Sequence, residues 1–370
     1  MFEYLIRAPA DFEPAEFESL PGNGADKLLE AWPTYLKSCA RVIRDATVLR
    51  SAAPSPEGVL RNAELALRAP GATEADVRTY FSNHFRAFRI LPRAGLNPHA
   101  HGFVTGYYEP EVSAALQRGP DHMEPVLGRP TDLQSAPIVA GSVTYASSRL
   151  LEDGRFSPYW SRAEITAGKS AAPTIAWVSD AIELFMIQVQ GSARVVLPGG
   201  ESMRLVYDGR NGHPYESIGR ILVSEGHIPL ADMSLDVLKD WVRSAGQEAG
   251  QAGRMLLLRN ASYVFFRLVE DIDPSAGPIG GEGVPLTSLR SLAIDRNIWA
   301  YGLPFWISGD LPKDNGVTES FQRLMVAQDT GSAIVGAARG DIFYGSGNSA
   351  GQSAARVRHV VDLFVMIPKG

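Results

Sequence analysis

The chain has 370 residues, 45% of them hydrophobic and 21% charged, with a net charge of -6. That length fits about two domains of roughly 150 residues each, and the ordinary composition excludes a disordered, fibrous or coiled-coil chain. The acidic balance argues against a dedicated nucleic-acid binder, and the single cysteine, Cys39, excludes a disulfide framework or a Cys-rich zinc site.

The first residues, MFEYLIRAPADFEPAEFE, hold no apolar core of signal-peptide length and no lipid-attachment cysteine. Residues 26–92 read as helical. The run ADKLLEAWPTYLKSCARVIRD sets Leu28, Leu29, Trp32, Leu36, Cys39, Val42 and Ile43 at helical spacing, and Pro33 is expected to kink or divide it. PEGVLRNAELALRAPG and TEADVRTYFSNHFRAFRI read as two further helices, the second starting at Thr73, whose hydroxyl can accept an orphan helix N–H. Cys39 reads as a small buried residue.

From about residue 101 the texture becomes β-branched and turn-bounded. In AIELFMIQVQ, Ile187 and Val189 alternate with Gln188 and Gln190, as in a strand with one buried face. Residues 234–250 return to helix, and RMLLLRNASYVFFRLVED to the end reads as strands with Gly-rich corners. Helices followed by blocks of strands make an α+β pattern, mainly β. The apolar stretches at 262–269 and 360–368 fall short of the ~18–20 residues that cross a bilayer, so the chain is expected to be soluble, with any export signal outside it.

The chemistry concentrates in FQRLMVAQDTGSAIVGAARGDIFYGSG (321–347). Asp341 is followed by Ile342, Phe343 and Tyr344. Apolar surroundings raise a carboxyl pKa, which lets it hold a proton and serve as a general acid. Gly340, Gly345 and Gly347 permit tight turns and close approach of a ligand. Against this, Asp329 and Asp341 can each simply satisfy turn N–H groups. DTGS (329–332) looks like an aspartic-protease loop, but that chemistry needs two aspartates sharing a proton, and no second Asp-Thr/Ser-Gly occurs. Glu109, before Pro110, reads as a solvated turn residue. His99 and His101 form a His-x-His pair with no evident third ligand, so neither metal nor cofactor is expected.

Six segments in order, FVTGYYEPEV (103–112), ELFMIQVQGSARV (183–195), VYDGRNGHPYESIGRILVSEG (206–226), RNASYVFFR (259–267), GVPLTSLRSLAIDRNIWAYGLPFW (283–306) and LMVAQDTGSAIVGAARGDIFYGSG (324–347), resemble the lytic murein transglycosylase A family. The last two also resemble its three-aspartate domain, on Asp295, Asp329 and Asp341. The sequence departs from the family pattern at Ala193, where glycine is usual, and at Ala261, where proline is usual.

The resemblance implies a larger domain, 1–107 with 246–370, carrying the N-terminal helices and a double-psi β-barrel. It implies a smaller inserted β domain at 108–245, with a groove between them. It further implies Asp341 as the catalytic acid, supported by Asp329 and Asp295. Sugar rings and hydroxyls call for flat apolar faces and polar groups. Tyr107, Tyr108, Gln190, Ser192, Asn211 and Tyr215 are the candidates to contact substrate, with packing or backbone bonding as the other use of each.

The implied reaction is non-hydrolytic cleavage of the β-1,4 bond between N-acetylmuramic acid and N-acetylglucosamine in peptidoglycan, leaving 1,6-anhydromuramic ends. The implied partners are glycan strands and a cell-wall synthase complex, for a monomeric protein in the periplasm associated with the outer membrane. The competing readings are a non-catalytic peptidoglycan-binding protein, an aspartic protease through DTGS, and a two-carboxylate hydrolase using Glu109 with Asp341.

Overall fold

A computed structural model describes residues 2–69, 73–93, 101–270, 273, 276–313 and 317–369. His99 lies outside the described residues. The fold is mixed α+β and mainly β, and the chain divides into two compact units, Met1–Tyr108 with Ser275–Gly370, and Glu109–Pro274.

The first unit is built on one eight-stranded sheet. Its order is Ala10–Ala15, Phe85–Pro92, Arg358–Pro368, Pro304–Pro312, Thr318–Asp329, Ser291–Ile294, Arg339–Ser346 and Gly102–Glu109. Arg358–Pro368 also pairs with Gly102–Glu109, from Arg358 opposite Thr105 to Val361 opposite Gly102. Strand alternation sends successive residues to opposite faces. Phe305, Ile307, Met325, Leu363 and Val365 join one core with Trp299 and Leu292. Their neighbours Trp306, Leu324, Val326, Phe364 and Met366 join a second core against the helices. Both faces are therefore apolar, which is why these strands read as nearly continuous hydrophobic runs.

The helices over that second face are Leu28–Ile43, Val59–Arg68 and Glu74–His84. Leu28–Ile43 runs unbroken through Pro33, contrary to the expected division. The proline forfeits one backbone bond, but Trp32 and Tyr35 on either side of it are buried in the aromatic cluster with Tyr80, Phe81 and Phe85, and Cys39 is buried too. Thr73 starts its helix as expected, in a reciprocal capping box with Asp76. That helix ends at His84, short of the expected end at Ile90. Residues 85–92 become a strand, because Phe85–Pro92 is paired on both sides, with Ala10–Ala15 and with Arg358–Pro368.

The second unit holds a six-stranded sheet in the order Val264–Glu270, Ser202–Arg210, Ser192–Val196, Glu111–Ala115, Thr174–Val178 and Glu124–Leu127. Residues 246–274 belong here rather than with the first unit, since Val264–Glu270 pairs along Ser202–Arg210. Two sequence expectations are corrected. Residues 187–190 are not a strand but the end of the helix Ala181–Gln190. Asp180 caps its start, accepting the Glu183 N–H at 3.0 Å, and Gly191 ends it at φ 82°. The helix is buried on most sides, so its apolar run carries no clear period. Likewise RMLLLR is the helix Ala252–Arg259, packed with Ile182, Ile221 and Val242 in a helical cluster. Among the described residues no helix is long and apolar enough to cross a membrane.

Candidate functional site

Three neighbouring strands of the first unit bring the aspartates together. Ala293 pairs with Asp341 on one side and with Asp329 on the other. Asp295 follows two residues beyond Ala293, at the end of that central strand. The sequence separation of the three is therefore cancelled by register.

Asp341 lies on Arg339–Ser346, beside the Gly102–Glu109 strand. Thr105 Oγ1 donates to Asp341 Oδ1 at 2.5 Å. Arg339 Nη2 in turn donates to Thr105 Oγ1 at 2.7 Å. Burial pushes the Asp341 carboxyl up to about 6. Arg339 and the Thr105 bond oppose that rise, and the Asp329 charge adds to it. This agrees with the sequence reading that its apolar followers desolvate it: Ile342 and Phe343 are both fully in the core.

Asp329 is held differently. Its Oδ1 accepts the Gly281 N–H at 2.8 Å and its Oδ2 accepts the Tyr107 hydroxyl at 2.9 Å. Burial, reinforced by Asp329, raises the Tyr107 phenol well above its ordinary value, so it remains a donor. Among the described residues Asp329 is thus held by a backbone N–H and a phenol, not in the shared-proton pair of carboxyls that an aspartic protease uses.

Asp295 is 4% exposed and accepts the backbone N–H groups of Asn297 (3.0 Å) and Gly336 (2.8 Å). It fixes the turn after the central strand and the 331–338 loop leading into Arg339. Tyr108 points away from Tyr107, as adjacent strand residues must. It is 7% exposed and packs on the helix Gly347–Ala355, where a Cβ on Gly351 would come within 2.8 Å of the Tyr108 ring. A side chain on Gly106 would strike the Ala354 backbone at 2.8 Å, so this glycine lets strand and helix meet closely.

The remaining candidates lie in the second unit. Gln190 closes the helix Ala181–Gln190 and Ser192 opens the strand that follows it, both partly exposed. Tyr215 is exposed in the 211–217 loop. Asn211 does not face solvent at all. Its Nδ2 donates to the carbonyls of Trp160 (2.9 Å) and Ala261 (2.8 Å), and its Oδ1 accepts the Tyr263 N–H at 2.8 Å. That amide is engaged in holding three backbone segments, so it is not available to a sugar. Glu109 is not a solvated turn residue. It is fully buried and forms an ion pair with Arg204 at 2.9 Å, a partner too far along the chain to read from sequence.

Thr105 and Arg339 were missed in the sequence, although a period-two signal was present. Thr105 stands two residues before Tyr107, and Arg339 two before Asp341, so each shares a face with a candidate already identified. Among the described residues no group of three His, Cys, Asp or Glu is placed to hold a metal ion.

The family model of the MltA specific insert domain matches residues 103–267, and that of the 3D domain matches residues 290–367. The crystal structure of a membrane-bound lytic murein transglycosylase from Agrobacterium tumefaciens shares this fold with a TM-score of 0.82 and 33% identity, covering 97% of this chain and 98% of that one. MltA from Neisseria gonorrhoeae, in its monoclinic form, gives a TM-score of 0.77 at 27% identity over 98% of this chain and 94% of that one. Membrane-bound lytic murein transglycosylase A of Escherichia coli (strain K12) is 31% identical over 268 residues, which is 71% of this chain and 64% of that protein. The aligned region thus spans just under two thirds of that relative's length. With both family domains present in order and the fold shared from end to end, the chain belongs to the MltA family of membrane-bound lytic murein transglycosylases.

Proposed function

We propose that this protein is a peptidoglycan lytic transglycosylase in which Asp341 alone supplies acid and then base. The observation that carries this is a partly buried carboxyl, raised to about 6, that accepts the Thr105 hydroxyl from the neighbouring strand. Protonated Asp341 gives its proton to the oxygen bridging N-acetylmuramic acid and N-acetylglucosamine, and the bond from C1 to that oxygen breaks. The resulting carboxylate takes the proton from the muramyl C6 hydroxyl, whose oxygen bonds to C1. The ring closes as a 1,6-anhydro end, the carboxyl is regenerated and no water is consumed. Holding the C6 hydroxyl within the same sugar gives the attack a high effective concentration.

Asp329 supports the step electrostatically, its charge adding to the proton affinity of Asp341. Asp295 acts only through the backbone it fixes. Glycan strands are the substrate class, with Tyr107, Gln190, Ser192 and Tyr215 as sugar contacts. The ring of strand pairings from Arg358–Pro368 through Pro304–Pro312, Thr318–Asp329, Ser291–Ile294 and Arg339–Ser346 to Gly102–Glu109, and back to Arg358–Pro368, supports a six-stranded double-psi barrel as the scaffold. The relatives are named membrane-bound, which supports work at a membrane, and we assign that place to the periplasmic side of the outer membrane. We assign the working unit as a monomer and a cell-wall synthase complex as its setting.

The test is incubation with purified sacculi. Wild-type protein releases soluble muropeptides and Asp341→Asn does not, while still sedimenting with the sacculi. Turnover retained in Asp341→Asn would remove that residue as the acid. Absence of turnover in the wild type would favour a binding module.

A further inference from the structure

The geometry points to Arg339 as a positioning residue for this reaction: through Thr105 it dictates which oxygen of Asp341 carries the transferable proton. This inference rests on the reading of Asp341 as the acid.

Two adjacent strands set the stage. Phe103, Thr105 and Tyr107 alternate along Gly102–Glu109, and Arg339, Asp341 and Phe343 alternate along Arg339–Ser346. They meet as a ladder of side chains on one face. The Arg339 guanidinium sits 5.5 Å from the Phe103 ring centroid, Thr105 bridges Arg339 and Asp341, and the Tyr107 and Phe343 rings are 5.3 Å apart. Arg339 is held at a second point, with Nη1 donating to the Gly340 carbonyl. A planar cation fixed by a ring, a carbonyl and a hydroxyl has little freedom to swing away.

The donor inventory then decides the proton. A guanidinium only donates, so Thr105 Oγ1 accepts from Arg339. The hydroxyl has one hydrogen, and it goes to Asp341 Oδ1. Accepting from a cation polarises that O–H and strengthens its donation. Oδ1 is thus held as an acceptor, and the acid proton resides on Oδ2. Without Arg339 the hydroxyl can turn round and accept from Oδ1–H, and the proton is then divided between two oxygens, only one of which is aimed for transfer.

The charged groups bearing on Asp341 are Arg339 on its own strand and Asp329 on the strand beyond Ser291–Ile294, with Tyr107 bonded to Asp329. Neither Asp329 nor Tyr107 touches Thr105 in the bonds described, so changes at Thr105 leave that pair in place.

The experiment compares Thr105→Val, Thr105→Ser, Arg339→Gln and the double variant Arg339→Gln/Thr105→Val. Two readouts are used: the pH dependence of kcat/KM for muropeptide release, and a carbon-13 NMR titration of the Asp341 carboxyl, which needs no turnover. Thr105→Val removes the donor without changing shape. The expected result is an upward shift of the alkaline limb and of the carboxyl titration by about one pH unit. With it, kcat falls and KM does not change. Thr105→Ser restores both. Arg339→Gln lowers kcat, and adding Thr105→Val to it lowers kcat by less than Thr105→Val does alone.

An unmoved titration in Thr105→Val, or full additivity in the double variant, would overturn the inference. If the wild type itself releases nothing, the proposed activity fails, and the NMR titration still decides whether Thr105 and Arg339 set the Asp341 proton.

Discussion

Tyr107 donates its hydroxyl to Asp329 Oδ2 at 2.9 Å, two residues along the strand from the Thr105 hydroxyl that donates to Asp341. One strand thus serves both aspartates, each through a hydroxyl on the same face. Tyr107→Phe leaves the ring packed on Phe343 but removes a bond to a charged acceptor. Such bonds contribute about 1.5–3 kcal/mol. We expect a loss of stability in that range, read by urea unfolding at pH 7, together with a lower rate of muropeptide release. Unchanged unfolding would mean that the bond contributes nothing in solution.

Under the proposed mechanism, the raised Asp341 carboxyl sets the pH profile of the reaction. The acid step needs the proton, which is held below about pH 6 and lost above it. On the alkaline side kcat/KM should therefore fall about tenfold per pH unit. A limb centred near 4, the ordinary aspartate value, would contradict the desolvated environment.

The same shift has a stability consequence of opposite sign to function. The folded value lies above the unfolded one, so folding penalises the charged form. The penalty is absent below pH 3.8, grows between 3.8 and about 6, and is complete above that, at about 3 kcal/mol at most. Asp341→Asn should abolish release yet unfold at higher temperature than wild type at pH 8, with no such gain at pH 3. A variant equally or less stable at pH 8 would contradict the sign.

Glu282 is a second buried carboxyl and lies outside the proposed chemistry. It is fully buried, accepts the Ser38 hydroxyl at 2.6 Å and faces Arg41 at 3.3 Å. Burial still wins over both contacts and pushes it up to about 7. Wild-type stability should decline as pH rises from about 4.5 to 7, by about 3 kcal/mol at most. Glu282→Gln should flatten that decline. Unfolding in denaturant at pH 5 and pH 8 checks it, and an unchanged slope in the variant would assign the decline elsewhere.

Asn211 separates a structural residue from a sugar contact. Asn211→Ala leaves the Tyr263 N–H and the Trp160 carbonyl without this partner, while the Ala261 carbonyl keeps the Arg162 N–H. Each unsatisfied buried group costs about 1–3 kcal/mol. The variant should be destabilised by several kcal/mol, and Tyr215→Ala, at an exposed ring, by less than about 1 kcal/mol while weakening binding to sacculi. The reverse pattern in unfolding and co-sedimentation would restore Asn211 as a substrate contact.

Particular residues show what was legible in the sequence. Asp341 announced itself through its apolar followers, because desolvation is a local property. Thr73 and Cys39 were equally local. Phe85–Pro92 was not legible as a strand, since its two partners lie at opposite ends of the chain. The helix Ala181–Gln190 misled for the converse reason: burial on most sides erases the polar stripe from which period is read. Glu109 and Asn211 acquired their roles from partners about 50 to 95 residues away. Thr105 and Arg339 stood in plain view at period two from identified residues, but a hydroxyl and a guanidinium mean little until register sets them side by side.

The most direct measurement is mass analysis of the soluble muropeptides that the wild-type protein releases from purified sacculi in water enriched with oxygen-18. A single carboxyl acting first as acid and then as base yields 1,6-anhydromuramic ends with no label incorporated. Reducing muramic ends carrying oxygen-18 would show that water attacks, and the one-aspartate account would be wrong.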